Sequence, residues 1–176
     1  MKILAIGGSN SKNSINRKLV HYAGSLFNSN DMEFVDISRM ELPLYSVDKE
    51  AENGIHEIAI EFAKKIDLAD LLLISLAENN GSYNVGYKNL IDWTSRIKSR
   101  KTFGEKSMLL MATSPGPRGG STVLEAAKNY YPHMGAVIKA TFSLPDFYKN
   151  FNDETGITNT ELQQQLNNII NNLKNN

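Results

Sequence analysis

The chain has 176 residues, enough for one domain with a real hydrophobic core and too few for two comfortable ones. Lys plus Arg and Asp plus Glu number 19 each, so no excess of charge points to nucleic acid, an anionic membrane or a polyanionic substrate, and an anionic ligand has to be held locally. The sequence contains no cysteine, which excludes disulfides, thiolate zinc sites, iron–sulfur clusters and a cysteine nucleophile, and leaves redox chemistry to a bound cofactor.

Lys2 to Ile6 is a short apolar run that stops at Gly7-Gly8. It is too short for a signal-peptide core, and no later apolar run approaches a membrane span, so the expectation is a soluble, cytoplasmic protein. Leu19, Val20, Ala23, Leu26 and Phe27 follow at helical spacing, giving strand, glycine turn and helix. Met32 to Ile37 reads as a second strand. The surface connection RMELPLYSVDKEAENG leads to an amphipathic helix bearing Ile55, Ile58, Ala59, Phe62, Ala63 and Ile66. Leu71 to Leu76 is a nearly continuous apolar run, the pattern of a strand covered on both faces, and a polar loop separates it from a helix over Tyr87 to Arg96. Ser107 to Thr113 reads as the fourth strand, SPGPRGG breaks the pattern, and Thr122 to Tyr131 continues as helix. After a fifth strand over Ala136 to Phe142 comes an aromatic stretch, Asp146, Phe147, Tyr148 and Phe151, suited to a cofactor edge, a dimer contact or surface packing. Leu162, Leu166, Ile169, Ile170 and Leu173 form the stripe of a last helix capped at Thr158-Asn159, and the Asn-rich ending reads as that helix and a frayed tail.

This alternation of strand and helix argues for an α/β fold with helices on both faces of a parallel sheet. The expected architecture is a flavodoxin-like three-layer sandwich, five strands in the order 2-1-3-4-5, in one domain over residues 1–176. Ligands in such sheets sit beyond the carboxyl ends of the strands where the order reverses, so the loops after strands one, three and four should meet there. The first, GGSNSKNSINRKL, places Ser9, Ser11, Ser14 and Asn16 around a helix start. Unpaired N–H groups and about half a positive charge at that end hold a phosphate without an arginine; the bland alternative is an ordinary Ser-capped helix. The loop lacks G-x-G-x-x-G and G-K-[ST], so it is neither a dinucleotide fingerprint nor a Walker loop. Asp36 lies farther from Gly8 than a ribose-binding acid prefers. His21, His56 and His133 show no metal spacing, and no metal is assigned.

These loops resemble the NADPH-dependent FMN reductases, a family that includes flavin, azo, quinone and chromate reductases, over nearly the whole chain. The motif G-S-x-R-x-x-S-x-N-x-x-L is similar to Gly8-Ser9-Asn10-Ser11 through Ser14, Asn16 and Leu19, which implies that Ser9, Ser11, Ser14, Ile15 and Asn16 hold the FMN phosphate. A second motif, P-E-Y-N-x-S-x-P-G-x-L-K-N-x-I-D-W, is similar to AENNGSYNVGYKNLIDW, with Lys88 to Trp93 its most specific part. It implies that Ala77, Glu78, Asn79, Asn80 and Ser82 lie beside the isoalloxazine ring. A third, S-P-G-x-x-G-G, is similar to Ser114 through Gly120 and implies Ser114, Pro115, Gly116, Gly119 and Gly120 along the ring's polar edge, the glycines allowing close approach. The tail NFNDETGITNTELQQQL also resembles the family's last loop and helix.

The sequence departs from these motifs in that the family arginine is Ser11, its Pro and Tyr are Ala77 and Asn79, and its Pro-Gly pair is Asn84 and Val85. Phosphate binding then rests on backbone and hydroxyl donors without charge assistance. The resemblance implies an FMN-dependent oxidoreductase that uses NADPH or NADH to reduce a flavin, quinone, azo or similar small-molecule electron acceptor through flavin N5, with no catalytic side chain of its own. It also implies a homodimer or dimer-based tetramer, with the aromatic content of the third and fourth helices, including Trp93 and Tyr130-Tyr131, compatible with an interface, although the first role expected of Trp93 is packing on its own helix; the balanced charge points to no nucleic-acid or membrane partner. Two other readings stay open: an electron-carrier flavodoxin, whose acidic docking surface and Thr-rich loop are not found here, and a flavodoxin-like module that binds flavin or another phosphate ligand without reductase activity.

Overall fold

The computed structural model describes residues 1–27 and 29–175; Asn176, the last residue of the expected frayed tail, lies outside them. β1 (Ile3–Gly8) runs through both glycines, because Gly7 and Gly8 continue the ladder opposite Ser75 and Leu76. α1 (Ile15–Ser25) begins at Ser14, whose Oγ accepts from the Arg17 amide. β2 (Met32–Val35) ends earlier than expected, since Asp36 caps a short 3-10 turn over Ile37–Arg39. The long connection contains a helix that periodicity does not reveal: α2 (Val47–Asn53), VDKEAEN, has no buried residue and starts at a Ser46 cap. α3 (Glu57–Leu68) and β3 (Leu71–Leu76) follow.

The polar loop after β3 is itself folded. β4 (Glu78–Asn79) and β5 (Ser82–Tyr83) pair antiparallel around Asn80-Gly81, both at positive φ (52° and 75°), as a two-residue type I′ hairpin turn requires. Next come α4 (Val85–Thr94), β6 (Lys106–Thr113), α5 (Ser121–Tyr130), a 3-10 turn over Tyr131–Met134 and β7 (Ala136–Leu144). α6 (Phe147–Asn150), a small hairpin of β8 (Phe151–Asn152) and β9 (Gly156–Ile157), and α7 (Thr160–Lys174), capped by Asn159, complete the described chain.

The main sheet has the order β2-β1-β3-β6-β7 with every pairing parallel, the flavodoxin-like order expected from the alternation. Its two faces explain the nearly continuous apolar run of β3, which only Ser75 interrupts. Leu72, Ile74 and Leu76 join Phe62, Leu90 and Val123 of α3, α4 and α5 on one side. Leu71 and Leu73 join Leu19, Ala23, Leu166 and Ile170 of α1 and α7 on the other. Trp93 packs inside the chain at 1% exposure, as expected of a packing residue on this helix, and Tyr131, compatible by type with an interface, is also buried, at 2%. Trp93 Nε1 donates to the Pro43 carbonyl at 2.8 Å and so fastens the β2–α3 connection to α4; of the three aromatics only Tyr130 stays open, at 60%.

Candidate functional site

The pairings of Gly8 with Leu76 and of Leu76 with Ala112 set the ends of β1, β3 and β6 level, so the loops that follow them emerge side by side. In the first loop, Ser9 Oγ accepts from the Ser11 amide at 3.2 Å and Ser11 Oγ from the Asn13 amide at 3.3 Å. These two local bonds curl the chain toward the start of α1. Arg17 secures the curl from behind, donating to the Lys12 carbonyl and pairing with Asp36 at 3.2 Å. Among the described residues the amides of Ser14, Ile15 and Asn16 have no protein acceptor, as the first turn of a helix dictates. No acidic residue occupies that turn. Three free N–H groups, the Ser14 hydroxyl proton and the positive end of α1 together make a donor set for a phosphate.

Asp36 does not belong to that set. Its oxygens accept from Ser38 and meet Arg17 and Arg39, and its carboxyl is held below the usual carboxylate range first by the Ser38 hydrogen bond, against the opposing effect of burial, with help from Arg17. Asn16 belongs only through its backbone. Its side chain is 2% exposed; Nδ2 donates to the Thr113 carbonyl at 3.1 Å, and Oδ1 accepts from Ser75 Oγ at 2.7 Å and the Thr113 amide at 3.0 Å. The expected phosphate ligand is thus, as a side chain, the bolt that ties α1 to the ends of β3 and β6.

In the second loop Ala77 donates to the Gly8 carbonyl at 3.4 Å, extending the β1–β3 ladder by one rung. Glu78 turns its carboxylate away from α1: Oε2 accepts from the Thr122 and Val123 amides at 3.0 and 3.1 Å, and Oε1 lies 3.6 Å from Arg118. It caps α5, whose own cap position, Gly120, has no side chain to do so. The anion-binding end of α5 is therefore closed by a protein carboxylate while that of α1 is open. Asn79, Asn80 and Ser82 form the hairpin itself. Asn84 caps α4, accepting from the Gly86 and Tyr87 amides at 3.1 and 3.3 Å.

In the third loop the Gly116 carbonyl accepts from the Gly119 amide, the Asp146 amide and Ser114 Oγ, at 3.2, 3.0 and 3.2 Å. Gly119 and Gly120 are buried under this turn. A Cβ on Gly119, at φ 57°, would stand 2.3 Å from Ser143 Oγ, so its bareness serves packing against β7. Ser114, Pro115 and Gly116 are half-buried or exposed, and a Cβ on Gly116 would meet nothing within 4 Å. That half of the loop is the part with room for a ligand.

Outside the three loops, Phe147 is a core residue stacked on Phe151 at 4.6 Å, whereas Tyr148 is exposed. His21 stacks on Phe34 at 3.8 Å and its pKa is lowered, chiefly by burial and then by Arg17. His56 Nδ1 accepts from the Ile58 amide as the cap of α3. Sequence reasoning missed Asn10, Ser75 and Thr113. Their roles arise from partners 59 to 97 positions away in the chain, which no local pattern displays.

The sequence profile of the family described as NADPH-dependent FMN reductase matches residues 1–149. A 2-hydroxy-1,4-benzoquinone reductase from a Burkholderia species is 38% identical over 149 residues, covering 84% of this chain and 78% of that protein. Among solved structures, the flavoenzyme NAD(P)H:(acceptor) oxidoreductase FerB from Paracoccus denitrificans superposes with a TM-score of 0.77 at 26% identity, over 99% of this chain and 96% of its own. An FMN-dependent NADH-azoreductase from Bacillus anthracis, solved with FMN, shares the fold at 13% identity and a TM-score of 0.64, over 98% and 96% of the two chains.

Proposed function

Because this chain belongs to the NADPH-dependent FMN reductase family, we propose that it binds FMN in the cleft formed by its three loops and reduces a small quinone, azo or related acceptor at the expense of NAD(P)H. The observation that carries the reading is the donor set at the start of α1, the open amides of Ser14, Ile15 and Asn16 beside the Ser14 hydroxyl, which fits a phosphate dianion. Bound FMN supplies two-electron transfer at N5 between the nicotinamide and the acceptor. The chain's part is to bind and orient. Ser9, Ser11 and Ser14 shape and line the phosphate loop; Ala77 to Ser82 and Ser114 to Gly116 flank the ring with backbone donors; and Asn16 and Glu78 hold these loops in place from behind.

The quinone reductase of the Burkholderia species and the acceptor oxidoreductase of Paracoccus denitrificans support a small, diffusible electron acceptor. The proposed assembly is a homodimer or dimer-based tetramer, supported by exposed Tyr130, Leu44, Val47 and Val85 around the α4–α5 side and the β2–α3 connection. The proposed place of work is the cytoplasm, where NAD(P)H is available; among the described residues no helix is long and apolar enough to cross a membrane. The test is direct. Purified protein mixed with FMN should retain a flavin visible spectrum through desalting and oxidise NADH or NADPH in the presence of a benzoquinone. Retained flavin with no acceptor reduction would instead favour a binding module without reductase activity.

A further inference from the structure

Two of the positions at which this chain departs from the family motif touch each other. Asn79 stands where the motif has Tyr and Asn84 where it has Pro, and Asn84 Nδ2 donates to Asn79 Oδ1 at 3.2 Å. The same Nδ2 donates to Asn10 Oδ1 at 3.0 Å, while Asn84 Oδ1 accepts from the Asn10 amide at 3.2 Å. Asn10 and Asn84 are therefore paired twice, from the crest of the phosphate loop to the root of the ring-side loop. Gly86 makes the approach possible, since a Cβ there would lie 2.8 Å from Asn10 Cβ. Asn84 is buried whereas Asn10 and Asn79 are exposed, so water reaches these bonds from the partners' side only. Proline has no side-chain donor or acceptor, so the arrangement exists only because position 84 is an amide.

We propose that Asn10, Asn79 and Asn84 form an amide clamp that locks the ring-side loop onto the phosphate loop, making Asn84 a positioning residue for the ring end of the site; this rests on the FMN reading above. The β4–β5 hairpin has two residue pairs, too few to hold its own shape in water. Glu78 moors one flank to α5, and the clamp moors the other to the β1–α1 loop. A loop held in its binding shape beforehand loses less conformational entropy when a ligand arrives, so the clamp raises affinity without touching the ligand.

Asn84→Ser tests this, because serine keeps the cap on α4 and is too short to reach Asn10 and Asn79. Dissociation constants for FMN and riboflavin come from flavin-fluorescence quenching, the ring environment from visible circular dichroism of the bound flavin, and the fold from far-ultraviolet circular dichroism of the apoprotein. With the cross-loop bonds gone, both flavins should bind about tenfold more weakly by the same factor, with altered visible bands and an unchanged apoprotein spectrum. Asn79→Ala should act in the same direction by roughly threefold, and added to Asn84→Ser it should change little, as parts of one device do; it decides the matter alone if Asn84→Ser fails to fold. Unchanged constants and visible bands, or an effect confined to FMN, would overturn the clamp while leaving the FMN reading intact. A wild-type protein that binds neither flavin overturns both.

Discussion

Ser14 combines two roles in one hydroxyl: its oxygen accepts from the Arg17 amide at 3.1 Å, and its proton stays free for an anion. Asp is an equally good helix cap, so Ser14→Asp should leave apoprotein stability within about 1 kcal/mol yet abolish FMN binding by placing a negative charge in the phosphate's position. Ser11 is exposed at the loop crest, and Ser11→Arg should tighten FMN about tenfold, a charge-assisted contact being stronger than a hydroxyl's. Fluorescence titration reads both; if neither moves the dissociation constant, the phosphate is bound elsewhere. Asn16→Leu should behave differently, because it strands Ser75 Oγ and the Thr113 amide and carbonyl in a buried place. The expected loss is roughly 2–4 kcal/mol in urea unfolding. Ser14 was readable as a cap from the residues around it, whereas the bolt-like role of Asn16 was not, because its partners lie on two other strands.

At the scale of elements, what matters is which helix ends are closed. The start of α1 has no acid and the start of α5 has Glu78, so of these two helix starts the fold leaves only that of α1 without a carboxylate. α4 and the 3-10 turn that follows α5 are joined by a different device, a tyrosine pair in which Tyr131 Oη donates to Tyr87 Oη at 3.0 Å with Phe103 packed 4.6 Å from the Tyr131 ring. Burial, the largest influence on both, raises the two phenols far above the ordinary tyrosine range. Their folded pKa values exceed the unfolded value of about 10, so their neutral forms support the fold below that pH and the support is lost as pH rises beyond it. Urea midpoints should therefore fall steeply above pH ~10, and Tyr87→Phe should flatten that slope. An equal slope in the variant would show that other groups control alkaline unfolding. The Asn80-Gly81 hairpin read only as a polar loop because its strands are too short to show alternation, and α2 escaped notice because it buries nothing.

For the whole molecule, acidic and basic residues balance, so no net-charge repulsion opposes the proposed self-association. Sedimentation at micromolar concentration should give at least twice the 19.6 kDa mass of one chain; a single-chain mass would refute the proposed dimer. The sequence alone determined the five-strand alternation, the parallel order and which loops share one end of the sheet, because strand period, helix period and glycine breaks are local properties that add up along the chain. It also pointed to the helix start proposed to hold the phosphate. Only the tertiary structure decided that Asn16 and Glu78 brace the loops with their side chains, that Tyr131 belongs to the core, and that Asn10, Asn79 and Asn84 meet. A polar side chain in a loop can face a ligand or another loop, and which it does depends on acceptors brought close by strand pairing, a fact written nowhere near it in the chain.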